Sequence, residues 1–127
     1  MQMLNGLIAD KLTDILPKRV FVYPGIATEN AKYPFVVYND DSCEIYRNKL
    51  GIYEYLFNYT ITIASESFDE SDELADSIRD GFGNLSRSCS VSCLEANEMS
   101  GYEGVGTEKV AFVRRLQYEI TVHIEQR

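Results

Sequence analysis

The stretch Gly51 to Leu85, GIYEYLFNYTITIASESFDESDELADSIRDGFGNL, constrains the fold more than any other part of the chain. Its first half alternates: Tyr53, Tyr55, Phe57, Tyr59, Ile61 and Ile63 share one face, and Glu54, Asn58, Thr60 and Thr62 the other. A period of two in aromatic and β-branched residues predicts a half-buried strand. The period then changes. Leu74, Ala75, Ile78, Phe82 and Leu85 recur at helical spacing, which predicts an amphipathic helix. Ser67 and Glu70 have capping-box spacing, and acids crowd the first turn, where the helix dipole favours them. Such a strand–turn–helix unit needs strands beside it and an apolar surface under its helix.

The flanking sequence supplies both. Leu4, Leu7, Ile8, Leu12, Ile15 and Leu16 form a helical stripe over residues 2–16, and Pro17 ends it. Val20 to Tyr23 reads as a short strand closed by Pro24-Gly25, with a loop from Ile26 to Lys32. Phe35 to Tyr38 begins a second strand. Asn39-Asp40-Asp41 interrupts it, and it resumes from Cys43 to Arg47 before the turn at Asn48 to Gly51. Residues 35–47 and 52–65 are therefore expected to form a long antiparallel hairpin. Its distal half, residues 39–54, is polar and tyrosine-bearing and is expected to project beyond the core.

After the helix, Ser88 to Cys93 alternates as a half-buried strand, and Glu95 to Lys109, with three glycines, reads as loop. The final strand places Val110, Phe112, Leu116, Tyr118, Ile120, Val122 and Ile124 on one face. Arg114 is the one charge in that phase, which predicts a bend or an exit from the core face. This strand is expected to pair centrally with Tyr55 to Ser65. The order αβββαββ predicts a single α+β domain over residues 1–127: an antiparallel β-sheet with two helices packed on one face and a long β-hairpin arm. At 127 residues the chain is long enough for a core.

The net charge of −8 is concentrated. Residues 40–80 hold eleven acids and three bases, and the rest is balanced at nine against nine. An acidic chain without a basic cluster argues against a protein that grips nucleic-acid phosphates. The bland alternative is a solvated, soluble face. Three cysteines (Cys43, Cys89, Cys93), no CxxC pair and no signal-peptide pattern suggest a reducing cytosol. No apolar run approaches the roughly 20 residues that cross a bilayer.

No catalytic constellation emerges. The one histidine, His123, falls at an outward strand position and cannot build a histidine-based metal site alone. Cys89 and Cys93 would sit about 13 Å apart along a strand, too far to share a metal, and read as small core residues. Gly104-Val-Gly106 neither opens a helix nor precedes Gly-Lys-Ser/Thr, so it is no phosphate loop. The acids Asp69, Glu70, Asp72, Glu73 and Asp76 lack calcium-loop spacing and are explained by the helix dipole. No cofactor and no metal are expected. What remains is surface: Tyr38, Asp40, Asp41, Tyr46, Arg47, Lys49 and Tyr53 on the hairpin, and Arg114 and Arg115 on the last strand, are candidate interface residues.

Taken in order, these features resemble the tail-completion (tail-terminator) proteins of long-tailed phages and prophages. The segments carrying the resemblance are Ala31-Lys-Tyr-Pro-Phe-Val-Val-Tyr38, Tyr59-Thr-Ile-Thr-Ile-Ala-Ser-Glu-Ser67, Asp72-Glu-Leu-Ala-Asp-Ser-Ile-Arg79 and Gln117-Tyr-Glu-Ile-Thr-Val122. The resemblance implies a sheet backed by helices and a non-enzymatic virion protein. It implies assembly as a homohexameric ring that caps the tail tube, ends its growth and presents the surface for a head-completion or connector protein. The implied partners are the chain itself, the tail tube protein and that connector, with DNA only in passing and no membrane. The implied location is the host cytoplasm during assembly and then the virion tail. A lumen lined by the acidic block of residues 40–80 would keep DNA from sticking. The alternatives are a head–tail connector or neck protein of similar fold, or a small ligand-binding α+β domain with an apolar pocket under the sheet.

Overall fold

A computed structural model describes residues 2–28, 30–83, 91–103 and 111–124. They form helix α1 (Gln2–Ile15), strands β1 (Phe21–Pro24), β2 (Phe35–Asn48) and β3 (Gly51–Ser65), helix α2 (Phe68–Gly83), and strands β4 (Val91–Glu103) and β5 (Ala111–His123). The five strands make one sheet in the order β1-β2-β3-β5-β4. The class is α+β, as the alternation of periods predicts. β2–β3, β3–β5 and β4–β5 are antiparallel. β1 departs from expectation by running parallel to β2, with Phe21 opposite Phe35.

Both helices cover one face. From α1 come Leu4, Ile8 and Leu12, spaced by four, and from α2 come Leu74, Ala75, Ile78 and Phe82, all at most 2% exposed. They pack on Phe57, Tyr59, Ile61 and Ile63 of β3 and on Leu116, Tyr118, Ile120 and Val122 of β5. Each buried Ile, Leu or Phe contributes roughly 1.5–3 kcal/mol relative to exposure, so this layer dominates the driving force. The ring of Tyr59 is fully buried, and its hydroxyl donates to Asn5 Oδ1 on α1. Burial holds this phenol well above the ordinary tyrosine range.

The N-terminus of α2 uses a relayed cap. The Glu70 N–H donates to Ser67 Oγ at 3.3 Å, as the capping-box spacing predicts. The return contact passes through Ser65. The Ser67 N–H donates to Ser65 Oγ at 3.1 Å, and the Ser65 hydroxyl donates to Glu70 Oε1 at 2.6 Å. Glu70 is also bridged by Arg19 Nη2 at 3.0 Å. The Ser65 hydrogen bond, helped by Arg19, lowers the Glu70 carboxyl against an opposing contribution from burial.

Three local expectations need correction. Asn39-Asp40-Asp41 does not interrupt β2. Asp40 pairs with Tyr59 and Ser42 with Asn58, which makes Asp41 the extra residue of a bulge in a continuous strand. Residues 95–103 are not loop. β4 runs to Glu103 because β5 supplies a backbone partner throughout, with a register shift between Glu95 and Asn97. Residues 104–109 of the expected loop lie outside the described residues, as do Cys89 and the start of the strand expected from Ser88. Arg114 marks no bend, since β5 pairs without a register shift against β3 from Phe112 to His123.

Candidate functional site

The hairpin of β2 and β3 is 14 and 15 residues on its two sides. Pairing continues to Asn48 opposite Gly51, leaving Lys49 and Leu50 as a two-residue turn. Gly51 takes a φ of +116°, which a residue with a Cβ rarely adopts, and the Leu50 N–H is held by Asn48 Oδ1 at 2.9 Å. Among the described residues β5 backs β3 as far as Glu54, opposite His123, and the Ile124 N–H reaches the Tyr53 carbonyl at 2.9 Å, so the hairpin from Arg47 to Ile52 extends past the part of the sheet that these residues of β5 cover. β1 reaches β2 only to Tyr38, which leaves the outer edge of β2 from Asn39 onward uncovered by β1.

Exposure follows this topology. Residues 40–45 and 47–51 are exposed, as expected for a projecting arm. Tyr46 is half-buried, with its ring 6.3 Å from that of Tyr53 and its hydroxyl donating to Glu44 Oε2 at 2.5 Å. That hydrogen bond, reinforced by the carboxylate charge, raises the Tyr46 phenol. Asp41 accepts from the Thr60 hydroxyl, and Ser42 from Asn58 Nδ2 at 2.8 Å, so side-chain bonds tie β2 to β3 across the bulge. Arg47 and Lys49 are exposed at the tip, while Asp40 lies where the arm leaves the core. Tyr38 packs its ring against the core edge and is only partly available.

The two arginines of the last strand separate. Arg114 is 8% exposed. Its Nε donates to Ser71 Oγ at 3.0 Å, its Nη1 lies 3.6 Å from Asp72 Oδ1, and its guanidinium stacks 4.9 Å from the Phe68 ring centroid. It therefore ties β5 to the start of α2 instead of offering a surface charge, which corrects its placement among the interface residues. Arg115 is half-buried on the opposite face, across from Thr62. The exposed His123 faces Glu54 at 3.3 Å. Cys43 is an exposed free thiol on the arm.

The acidic block divides into two surfaces. Asp40, Asp41, Glu44 and Glu54 belong to the hairpin, and the other seven acids follow β3 into α2. Part of the second group is compensated: Glu70 by Arg19, Asp72 by Arg114, and Asp76 by Arg79 at 3.1 Å. Among the described residues no group of three or more His, Cys, Asp or Glu side chains is arranged to hold a metal ion. No helix among them is long and apolar enough to cross a membrane. One open cleft lies at the root of the arm, lined by Asn5, Pro24, Gly25, Tyr38, Asn39 and Asp40.

Of the exposed apolar residues, sequence reasoning singled out Tyr53 as a candidate contact residue and passed over the others. Among the described residues eight large hydrophobics are exposed, and six fall into two groups at opposite ends of the sheet. Ile45, Leu50 and Tyr53 sit on the arm. Phe21, Tyr33 and Phe68 sit at the other end. Phe21 and Tyr33 belong to one aromatic run, in which the Tyr33 and Phe35 rings stack at 5.4 Å, Phe35 meets Tyr23 edge-on at 6.1 Å and Tyr23 stacks on Phe21 at 6.4 Å, whereas Phe68 meets Phe112 edge-on at 5.9 Å. Pairing joins residues 21 and 35, far apart in sequence, so no local period reveals this cluster.

No protein-family model matches the chain, and no curated protein matches it. A solved structure does: a chain of the "Virion of native gene transfer agent (GTA) particle" superposes with a TM-score of 0.65 over 92% of this chain and 92% of that one, at 13% identity. At that identity the likeness establishes a shared fold.

Proposed function

We propose that this chain is a structural component of a phage-like virion that caps the end of the tail tube. In this reading it forms a homo-oligomeric ring of six copies, ends tube growth and presents the surface to which a head-side connector binds. Its role is assembly and not catalysis. It would collect on tails in the host cytoplasm and remain in the virion tail. The observation that carries the reading is a fold shared, over nearly the whole of both chains, with a chain of a gene transfer agent virion. A hairpin arm exposed over most of its distal half supports it, since such an arm can reach a neighbouring subunit.

DNA would pass through the ring without being read. A net charge of −8 supports passage without adhesion. The acids occupy two separate surfaces, so only the arm group or the α2 group lines the passage. The reading is tested by assembling particles without this chain. Tails of variable, overlong length are expected. Tails of the normal fixed length, still able to join heads, would overturn it.

A further inference from the structure

Two edges of the sheet are open among the described residues. The outer edge of β2 is free of β1 from Asn39 onward, and β4 is the last strand on the opposite side, paired there with β5 alone. Three antiparallel pairings lie between β2 and β4, so the two run in opposite directions. A second copy set beside the first by rotation about an axis keeps those directions. Its β4 therefore meets this β2 antiparallel, which continues the pattern of the sheet.

β1 limits where they can meet. The ladders through Thr60 and Gln117 place Asn39 level with Asn97. A neighbour at that same level would drive residues 98–103 of its β4 into β1, which holds the edge of β2 through Tyr38. Seating Glu103 opposite Asn39 instead clears β1, and slides the neighbour toward the hairpin tip by six residues, about 20 Å at ~3.3 Å each. Each copy adds the four strands β2, β3, β5 and β4 across the sheet, about 19 Å at ~4.8 Å each. That slide over that width is a strand tilt of about 45°, at the upper end of the roughly 35–45° at which sheets close into barrels. The offset that β1 imposes is thus one that lets the sheet close.

We propose that copies of this chain join edge to edge, the outer edge of β2 on one copy's hairpin arm pairing antiparallel with the outer edge of the next copy's β4, so that one sheet runs round the ring. The occupant is a second copy because β4 has the direction, the length and the offset that the free stretch of β2 requires. Backbone groups along both edges supply the hydrogen bonds. With Asp41 and Ala96 as the extra residues of their bulges, this register puts Arg47 opposite Glu95 and sets no acid of the arm directly opposite an acid of β4. The two edges differ, so the contact is heterologous and repeats until the ring closes. The contact rests on the ring reading above and names how its copies join.

Disulfide trapping in a chain carrying Cys89→Ser and Cys93→Ser tests it, on the purified chain over a concentration series and on assembled tails. The register puts Ser100 opposite the native Cys43, which is an exposed free thiol. With Ser100→Cys added, oxidation should link copies into multimers longer than two, because each copy offers one thiol on each edge. Cys43 with the native Cys93, six steps out of register, should give no such ladder. A second measurement does not depend on thiol geometry: Arg47→Glu should weaken self-association in sedimentation, and Glu95→Arg added to it should restore it. Dimers linked through Cys43 on both copies would overturn this contact and leave the capping reading standing. So would oligomers, or tails that carry the chain, in which Cys43 never links to position 100 and Arg47→Glu is not rescued. A ladder in solution beside tails that lack the chain would keep the contact and overturn the capping reading. A chain that stays monomeric and is absent from tails would overturn both.

Discussion

Arg114 on β5 reaches across to α2, where its Nε donates to the hydroxyl of Ser71 at 3.0 Å, and that hydroxyl in turn donates to the Phe68 carbonyl at 2.6 Å. Asp72 and the Phe68 ring also lie against this guanidinium, which is almost wholly enclosed. Arg114→Met should therefore lower unfolding free energy by about 2–4 kcal/mol, since charge-assisted hydrogen bonds and a cation–π contact are lost together. Ser71→Ala should cost about 1–2 kcal/mol. The double variant should lose less than the two separately, because one interaction is shared. Urea denaturation checks this, and additive losses would show that the two side chains act independently.

Acid should weaken the start of α2. Glu70 is held below the usual glutamate range by the Ser65 hydroxyl and Arg19, so its folded form binds protons less readily than its unfolded form. The stabilisation is present in full above the unfolded value and fades as pH falls through the lowered folded one. Glu70→Gln should be less stable than wild type at pH 7, and the gap should narrow on acidification from about pH 4.5 downward. Denaturation midpoints measured at pH 7 and pH 3.5 decide it. A gap unchanged between them would place the pH sensitivity elsewhere.

Two glycines in helices should respond oppositely to alanine. At Gly81 a Cβ would come within 2.6 Å of Ile15 Cδ1 and 2.9 Å of Cγ2, where α2 passes close to α1. At Gly6 a Cβ would meet nothing within 4 Å. Gly6→Ala should gain up to about 1 kcal/mol from helix propensity. Gly81→Ala should lose about 1–3 kcal/mol through overpacking, despite the same propensity gain. Thermal melts of the pair compare them directly, and a rise for both would mean that Ile15 moves aside freely.

Fold and assembly should separate along the same hairpin. Ile61 is fully buried in β3, whereas Arg47 is exposed at the tip. Ile61→Asp should cost at least about 4 kcal/mol and leave little folded protein, since it places a carboxylate in the core. Arg47→Glu should change stability by less than about 0.5 kcal/mol and weaken self-association. Circular dichroism and sedimentation, run on both, distinguish the effects. Equal unfolding by the two would make the arm part of the core.

Much of this architecture was legible because it is periodic. The alternation of Tyr53 to Ile63 and the stripe from Leu74 to Phe82 yield β3, α2 and the face each buries, and Gly51 after Asn48 marks the turn. What escaped depends on contacts between distant residues. β1 has only four residues, too few to signal that its partner runs parallel. β4 carries Gly101 and lacks an apolar period through residues 95–103, yet it is held as a strand by hydrogen bonds to β5. Arg114 looked like a break in a pattern because Ser71, its partner, is 43 positions away. The aromatic end of the sheet was hidden for the same reason, while the arm's tyrosines and charges stood out as one continuous polar segment.

In the proposed role the chain sits at one end of a tail tube. Electron microscopy of particles carrying a gold-labelled copy tests this most directly. Label confined to a single tube end, at the junction with the head, is expected. Label spread along the tube, or absent from every tail, would contradict it.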